Sequence, residues 1–111
     1  MISEQLSFLP DSLPDSHPFP PARERTVWNA LPQRVKDRFL KAGEAALAAA
    51  IAPLPLSLWL DFSHTGRRTA WEDAYFSRRA RLCALVCAEC VEHGGRFLDA
   101  IADTVWALCE E

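Results

Sequence analysis

The chain has 111 residues, 15 of them acidic and 12 basic, and a formal net charge of −3. It is therefore at most one domain, with no electrostatic footprint for nucleic acid or an anionic membrane surface. Half of the residues are apolar, no run reaches the ~20 apolar residues a bilayer span needs, and the start lacks the basic and apolar regions of a secretory signal, so the chain reads as soluble and cytoplasmic.

Residues 1–20 read as a proline-rich arm. Pro10, Pro14, Pro18 and Pro20 remove backbone donors and push their predecessors toward extended conformations. Leu6, Phe8, Leu9, Leu13 and Phe19 give this arm an apolar side suited to lying in a groove. Residues 21–111 read as a single helical domain. Pro21 opens a short helix to about residue 30, anchored by Val27 and Trp28, because proline is well tolerated in a first helical turn.

Pro32 opens a second helix, expected to run to about Ala52. Val35, Phe39, Leu40, Ala46, Leu47, Ala50 and Ile51 recur at three- and four-residue spacings, opposite Arg34, Lys36, Arg38 and Lys41. Gly43 weakens this helix by about 1 kcal/mol relative to alanine without breaking it. Pro53 and Pro55 stop it. In residues 53–68, Leu56, Leu58, Leu60 and Phe62 alternate with other residues, which predicts an extended strap with one buried edge.

A third helix is expected from Thr69, with Glu72 three residues on completing a capping box. Trp71, Tyr75, Leu82, Val86 and Cys90 fall on its expected buried face, with Cys83 and Cys87 beside them. His93-Gly94-Gly95 ends it. A fourth helix carries Phe97, Ile101, Val105 and Leu108 as its stripe, widened by Leu98, Trp106 and Cys109. The short turn between the two makes an antiparallel hairpin, and the class is all-α. Val86 and Trp106 are expected to be buried, so that Val86→Asp or Trp106→Ala unfolds the hairpin. No Gly, Asn or Pro closes the last helix, so its wide apolar stripe predicts either a further covering helix or self-association as a homo-oligomer.

The chemistry-bearing residue types are sparse. Cys83-x-x-x-Cys87-x-x-Cys90 has the spacing of a cluster-binding motif, but that chemistry needs a flexible loop around three thiolates. Here all three sit in a strongly helical apolar run, where such spacing arises from a core face. The four cysteines therefore read as free thiols buried as small apolar residues. His17, His64 and His93 stand apart, with no metal-ligand spacing among them. No metal, cofactor or catalytic residue is assigned.

The arginines offer more. Arg67, Arg68, Arg78, Arg79 and Arg81 lie close together in the sequence, near His64 and Trp71. Guanidinium groups bind carboxylates bidentately and flat rings stack on sugars, which suits an acidic saccharide. Arg78, Arg79 and Arg81 also suit a structural network between helices, with Glu89, Glu92 or neighbouring groups as partners. His64, Arg67, Arg68 and Trp71, at the turn before the third helix, are the candidate substrate-binding residues, because loops carry binding groups.

A longer pattern connects these pieces. Phe62, Thr65-Gly66-x-Arg68, Tyr75-Phe76, Arg79, Leu82, Ala88-Glu89, Gly95-Arg96-Phe97-Leu98-Asp99, Ile101, Trp106 and Glu110-Glu111 run in order. Over residues 60–111, and more loosely over 25–59, the chain resembles the N-terminal part of the heparinase II/III-like proteins. That resemblance implies helical hairpins forming the start of an incomplete α/α toroid. It also implies polysaccharide lyase chemistry by β-elimination on uronic-acid-containing glycans, with an acidic poly- or oligosaccharide as partner of the full-length protein. The family's catalytic groups lie further along the toroid, so the resemblance implies a portion inactive alone. His64 stands where the family's loop often has arginine. The alternative is a free-standing helical interaction or self-association module without catalysis.

Overall fold

In the computed structural model, which describes residues 19–111, five helices follow one another. They are α1 (Arg25–Asn29), α2 (Gln33–Ala48), α3 (Leu56–Thr65), α4 (Thr69–Glu92) and α5 (Leu98–Cys109). No strand occurs among the described residues, so the chain is all-helical there. No helix among them is long and apolar enough to cross a membrane. Of the expected arm, residues 1–18 lie outside the described residues.

Helix α4 is the central rod, with α2 and α5 packed along it. Arg25 near one end of α2 reaches Cys90 and Val91, while Ala49 and Ala52 beyond the other end meet Arg81 and Arg78. The two helices therefore run antiparallel. Helix α5 returns along α4 in the same sense, since Gly95 meets Glu89, Thr104 meets Arg81 and Ala107 meets Arg78. The expected hairpin is present.

The core is small and built at the C-terminal half of α4. Leu85, Ala88, Phe97 and Ala100 are buried, with Leu40, Ala46 and Ile101 packed against them. Phe97 is fully enclosed and is the largest such side chain. Gly43 lets α2 approach: a Cβ there would overlap that of Ala88 and lie 3.3 Å from Phe97 Cε1. The glycine that weakens α2 locally is what permits its close contact with α4.

Arginine side chains close the helices. Arg25 donates to the carbonyls of Cys90 and Val91 at 2.6 and 2.8 Å, satisfying the C-terminal end of α4. Arg81 donates to Ala46 and Ala49 at the end of α2, and its Nε reaches Thr104 Oγ1 at 3.0 Å. Arg78 donates to Ala52 at 2.8 Å and to Ala107 near the end of α5 at 3.0 Å. The last carbonyls of a helix lack intrahelical partners and carry partial negative charge, so a cation is the natural closure.

Several expectations need correcting. The segment expected as an extended strap forms helix α3, preceded by Pro55 and closed by Gly66 at φ 74°. Its alternating leucines also satisfy a helical period, because Leu58 and Phe62, four apart, are its half-buried apolar positions. Helix α2 ends at Ala48 rather than near Ala52, since Ala49 turns extended where Arg81 takes its carbonyl. The first helix is shorter than expected and begins at Arg25.

At the start of α4 no capping box forms: Thr69 is already helical, and Glu72 pairs with Arg68 at 3.1 Å. His93 itself takes the left-handed conformation at φ 56°. The buried face of α4 is Leu85, Ala88, Glu89 and Val91, rotated from the expected one. Val86 is 38% exposed and Trp106 69% exposed, so neither is a core residue. Val105 is likewise exposed, and Ala100 and Thr104 hold the buried positions of α5. Nor are the cysteines uniformly buried: Cys83 and Cys109 are exposed, Cys87 and Cys90 half-buried, and all four are free.

Candidate functional site

The N-terminal part of α4 meets α3 through rings. Trp59 of α3 stands edge-on to Trp71 of α4 at 5.3 Å between centroids and 68° between planes, and Phe62 packs on Trp59 at 5.4 Å. Trp71 in turn stacks on Tyr75 at 4.5 Å and 19°. One turn later the guanidinium of Arg79 lies 3.3 Å from the Tyr75 centroid. Residues 71, 75 and 79 repeat at four-residue intervals, so one face of α4 carries a ladder of three flat groups.

The ladder ends on a carboxylate. Arg79 Nη2 contacts Glu111 Oε2 at 2.7 Å, and Arg78 Nη1 contacts Glu111 Oε1 at 3.3 Å. The Glu111 side chain is only 13% exposed. Its hydrogen bond to Arg79 holds its carboxyl below the usual range, and the same bond holds Arg79 above its own. Nearby, Glu110 Oε1 accepts from Trp106 Nε1 at 2.9 Å.

Between these groups lies an open cleft of about 410 Å³. Leu54, Leu56, Trp59, Trp71 and Tyr75 supply its apolar walls, and Glu110 and Glu111 its polar rim. The cleft thus combines apolar ring surface with carboxylate acceptors at its edge. Among the described residues that line the cleft, no nucleophile stands buried beside a base.

Of the four candidate binding residues, only Trp71 enters this cleft. His64 is on the exposed last turn of α3, and Arg67 and Arg68 stand exposed in the α3–α4 turn, Arg68 against Glu72. Thr65 Oγ1 accepts from the Arg67 backbone at 3.2 Å, which shapes that turn. Trp59 and Glu111 were not among the expected site residues, and Tyr75 reads from the sequence as packing. The four-residue spacing of Trp71, Tyr75 and Arg79 was the available signal; the strap reading of residues 53–68 hid Trp59.

The structural alternative for Arg78, Arg79 and Arg81 describes their contacts, but with carbonyls, Thr104 and Glu111 as partners rather than Glu89 and Glu92. Glu92 instead pairs with Arg96 at 2.7 Å, and Arg96 also reaches Glu44 on α2 at 2.9 Å. Glu89 is 8% exposed, and its Oε1 accepts from the Gly95 backbone at 2.8 Å, binding the turn to α4. Among the described residues no group of three His, Cys, Asp or Glu side chains is placed to hold a metal ion.

No protein-family model matches this chain, and no curated protein matches it.

Proposed function

We propose that the chain is the N-terminal helical portion of a heparinase II/III-like polysaccharide lyase, the first hairpins of an incomplete α/α toroid. In this reading it contributes glycan contact to β-elimination on uronic-acid-containing substrates and is inactive alone. The observation that carries the proposal is the Trp59–Trp71–Tyr75 cleft rimmed by Glu111, which pairs with Arg79. A sugar ring packs against the exposed Trp59 indole and the ring edges of Trp71 and Tyr75, and its carboxylate competes with Glu111 for the guanidinium.

The residues shared with the family pattern support the reading by what they do. Phe97 fills the core, Glu89 fixes the Gly95 turn, and Arg79 binds Glu111. They build a scaffold, as expected of a portion whose catalytic groups lie elsewhere. The four free thiols fit a reducing compartment, and we assign the chain to the cytoplasm on that ground.

Titration of the chain with a uronic-acid oligosaccharide, followed by indole resonances, tests the proposal. Trp59 and Trp71 should shift together, Trp71→Ala should abolish the response, and added salt should weaken it. No indole shift at saturating oligosaccharide rejects the cleft. Appearance of the ultraviolet absorbance of an unsaturated uronide rejects the claim that this portion is inactive alone.

A self-association module is the second reading, favoured by the exposed Leu98, Val105 and Trp106 on α5. Sedimentation that depends on protein concentration, and loses that dependence in Trp106→Glu, would select it.

A further inference from the structure

Two exposed rows of side chains, one on α2 and one on α5, match each other. On α2, Arg34, Arg38 and Lys41 are exposed and follow at intervals of four and three residues, which sets them along one side of the helix. On α5 and the residue that ends it, Glu110, Trp106 and Asp103 are exposed and, read backwards, follow at the same intervals. The first row is cationic. The second holds two carboxylates around an indole that is 69% exposed. Among the described residues none of these charges forms a salt bridge. Asp37, which lies within the basic row, is held by Gln33 at 2.8 Å.

The basic row also has relief. Arg34, Val35 and Arg38 border a cavity of about 400 Å³, with half-buried Val35 as its apolar member. An indole fits that lining, because guanidinium groups pack on aromatic faces while the ring buries apolar surface. Within one chain the two rows stay apart. Trp106 lies on the part of α5 beside Arg78, whereas the start of α2 lies near Cys90 at the opposite end of α4.

We propose that a second copy of this chain occupies the α2 face, its α5 lying antiparallel across α2 so that Trp106 enters the cavity, Glu110 faces Arg34 and Asp103 faces Lys41. Helices α2 and α5 run in the same sense within a chain, so this pairing needs oppositely directed copies. A two-fold axis provides them and makes the contact twice. Glu110 also rims the aromatic cleft, so the pairing brings Arg34 of the second copy to the cleft edge. This inference rests on the self-association reading and not on the lyase reading.

Sedimentation of the full chain up to about 1 mM should show a monomer–dimer equilibrium. Lys41→Glu and Asp103→Lys should each weaken it about tenfold by placing like charges together, and the two combined in one chain should restore it. Both side chains are exposed, so the helical circular dichroism of every variant should match that of the parent. A parent chain that stays monomeric overturns the proposal together with the self-association reading. Dimerisation that neither single variant weakens, or that the combined variant fails to restore, overturns the proposal alone. A second measurement needs no substitution. Lys36 and Lys41 are the chain's lysines, and a carbodiimide joins an amine to a carboxylate in contact with it. In a mixture of isotope-labelled and unlabelled chains, the Lys41–Asp103 link should join one peptide of each kind. A dimerising sample without that mixed link also overturns the proposal.

Discussion

The C-terminal half of α4 packs through small residues around one enclosed ring, whereas its first turns pack through several rings open to water. Around Ala88 the contact is Gly43, Ala100 and the enclosed Phe97, so backbones approach closely and water is excluded. Around Trp71 the contact is Trp59, Tyr75 and Arg79, half-exposed and open to a cleft. Dispersion and burial hold the first region, and its rigidity follows from interlocking. Ring stacking and the pairing of Arg78 and Arg79 with Glu111 hold the second, which lies open to the cleft. One helix therefore carries the enclosed core at one end and an open aromatic cleft at the other.

The largest expected effect tests the scaffold. Phe97→Ala should cost about 3–5 kcal/mol in denaturant unfolding, because it empties an enclosed site between α2, α4 and α5. A loss under about 1 kcal/mol would show that the core is not where the chain's stability resides. Tyr75→Ala should cost less, about 1–2 kcal/mol, from two half-exposed stacking contacts, and should weaken oligosaccharide binding as well. If it destabilises as much as Phe97→Ala, the two regions do not differ in the way described.

The pH dependence should be smaller again. Hydrogen bonds from Arg79 and Arg96 hold the carboxyls of Glu111 and Glu92 below their ordinary value of 4.5 in the folded chain. Both contributions are complete above that ordinary value and disappear as pH falls through the lowered folded values. Thermal midpoints should accordingly drop in acid, with a shallower drop in Glu111→Gln. Carboxyl carbon resonances locate the two titrations directly, and a Glu111 transition at or above the ordinary value contradicts the pairing. The smallest effect belongs to Trp106→Ala, expected within about 0.5 kcal/mol because the ring is mostly in water. A loss of several kcal/mol in the monomer would place Trp106 in a core that the described contacts do not contain.

Much of the secondary structure was legible because it is written locally. The apolar period and the His93-Gly94-Gly95 break marked α4 and the hairpin, and Thr69–Glu92 agrees with the expected start and stop. Helix α3 was harder to see. Leu56, Leu58, Leu60 and Phe62 fit two periods at once, and only the packing of Trp59 and Phe62 against Trp71 and one another favours the helix.

The candidate site was legible in one residue, Trp71, and in the density of arginines around it. Tyr75 shares a helix face with Trp71, but Trp59 comes from α3 and Glu110 and Glu111 from beyond α5. The roles of the arginines were equally remote. Arg25, Arg78 and Arg81 bind backbone carbonyls, and a carbonyl has no residue type by which a sequence could announce it.

The amino-acid sequence by itself therefore determined that this chain is helical and where most of its helices break, because period, proline and glycine act within a few residues. Which of two apolar faces of α4 became the core, and which arginines closed helices, was decided only by the tertiary structure. Leu82–Val86 and Leu85–Ala88 are nearly equivalent as apolar pairs. The absence of a side chain at Gly43 lets α2 settle against Ala88, and that approach leaves Val86 facing a groove.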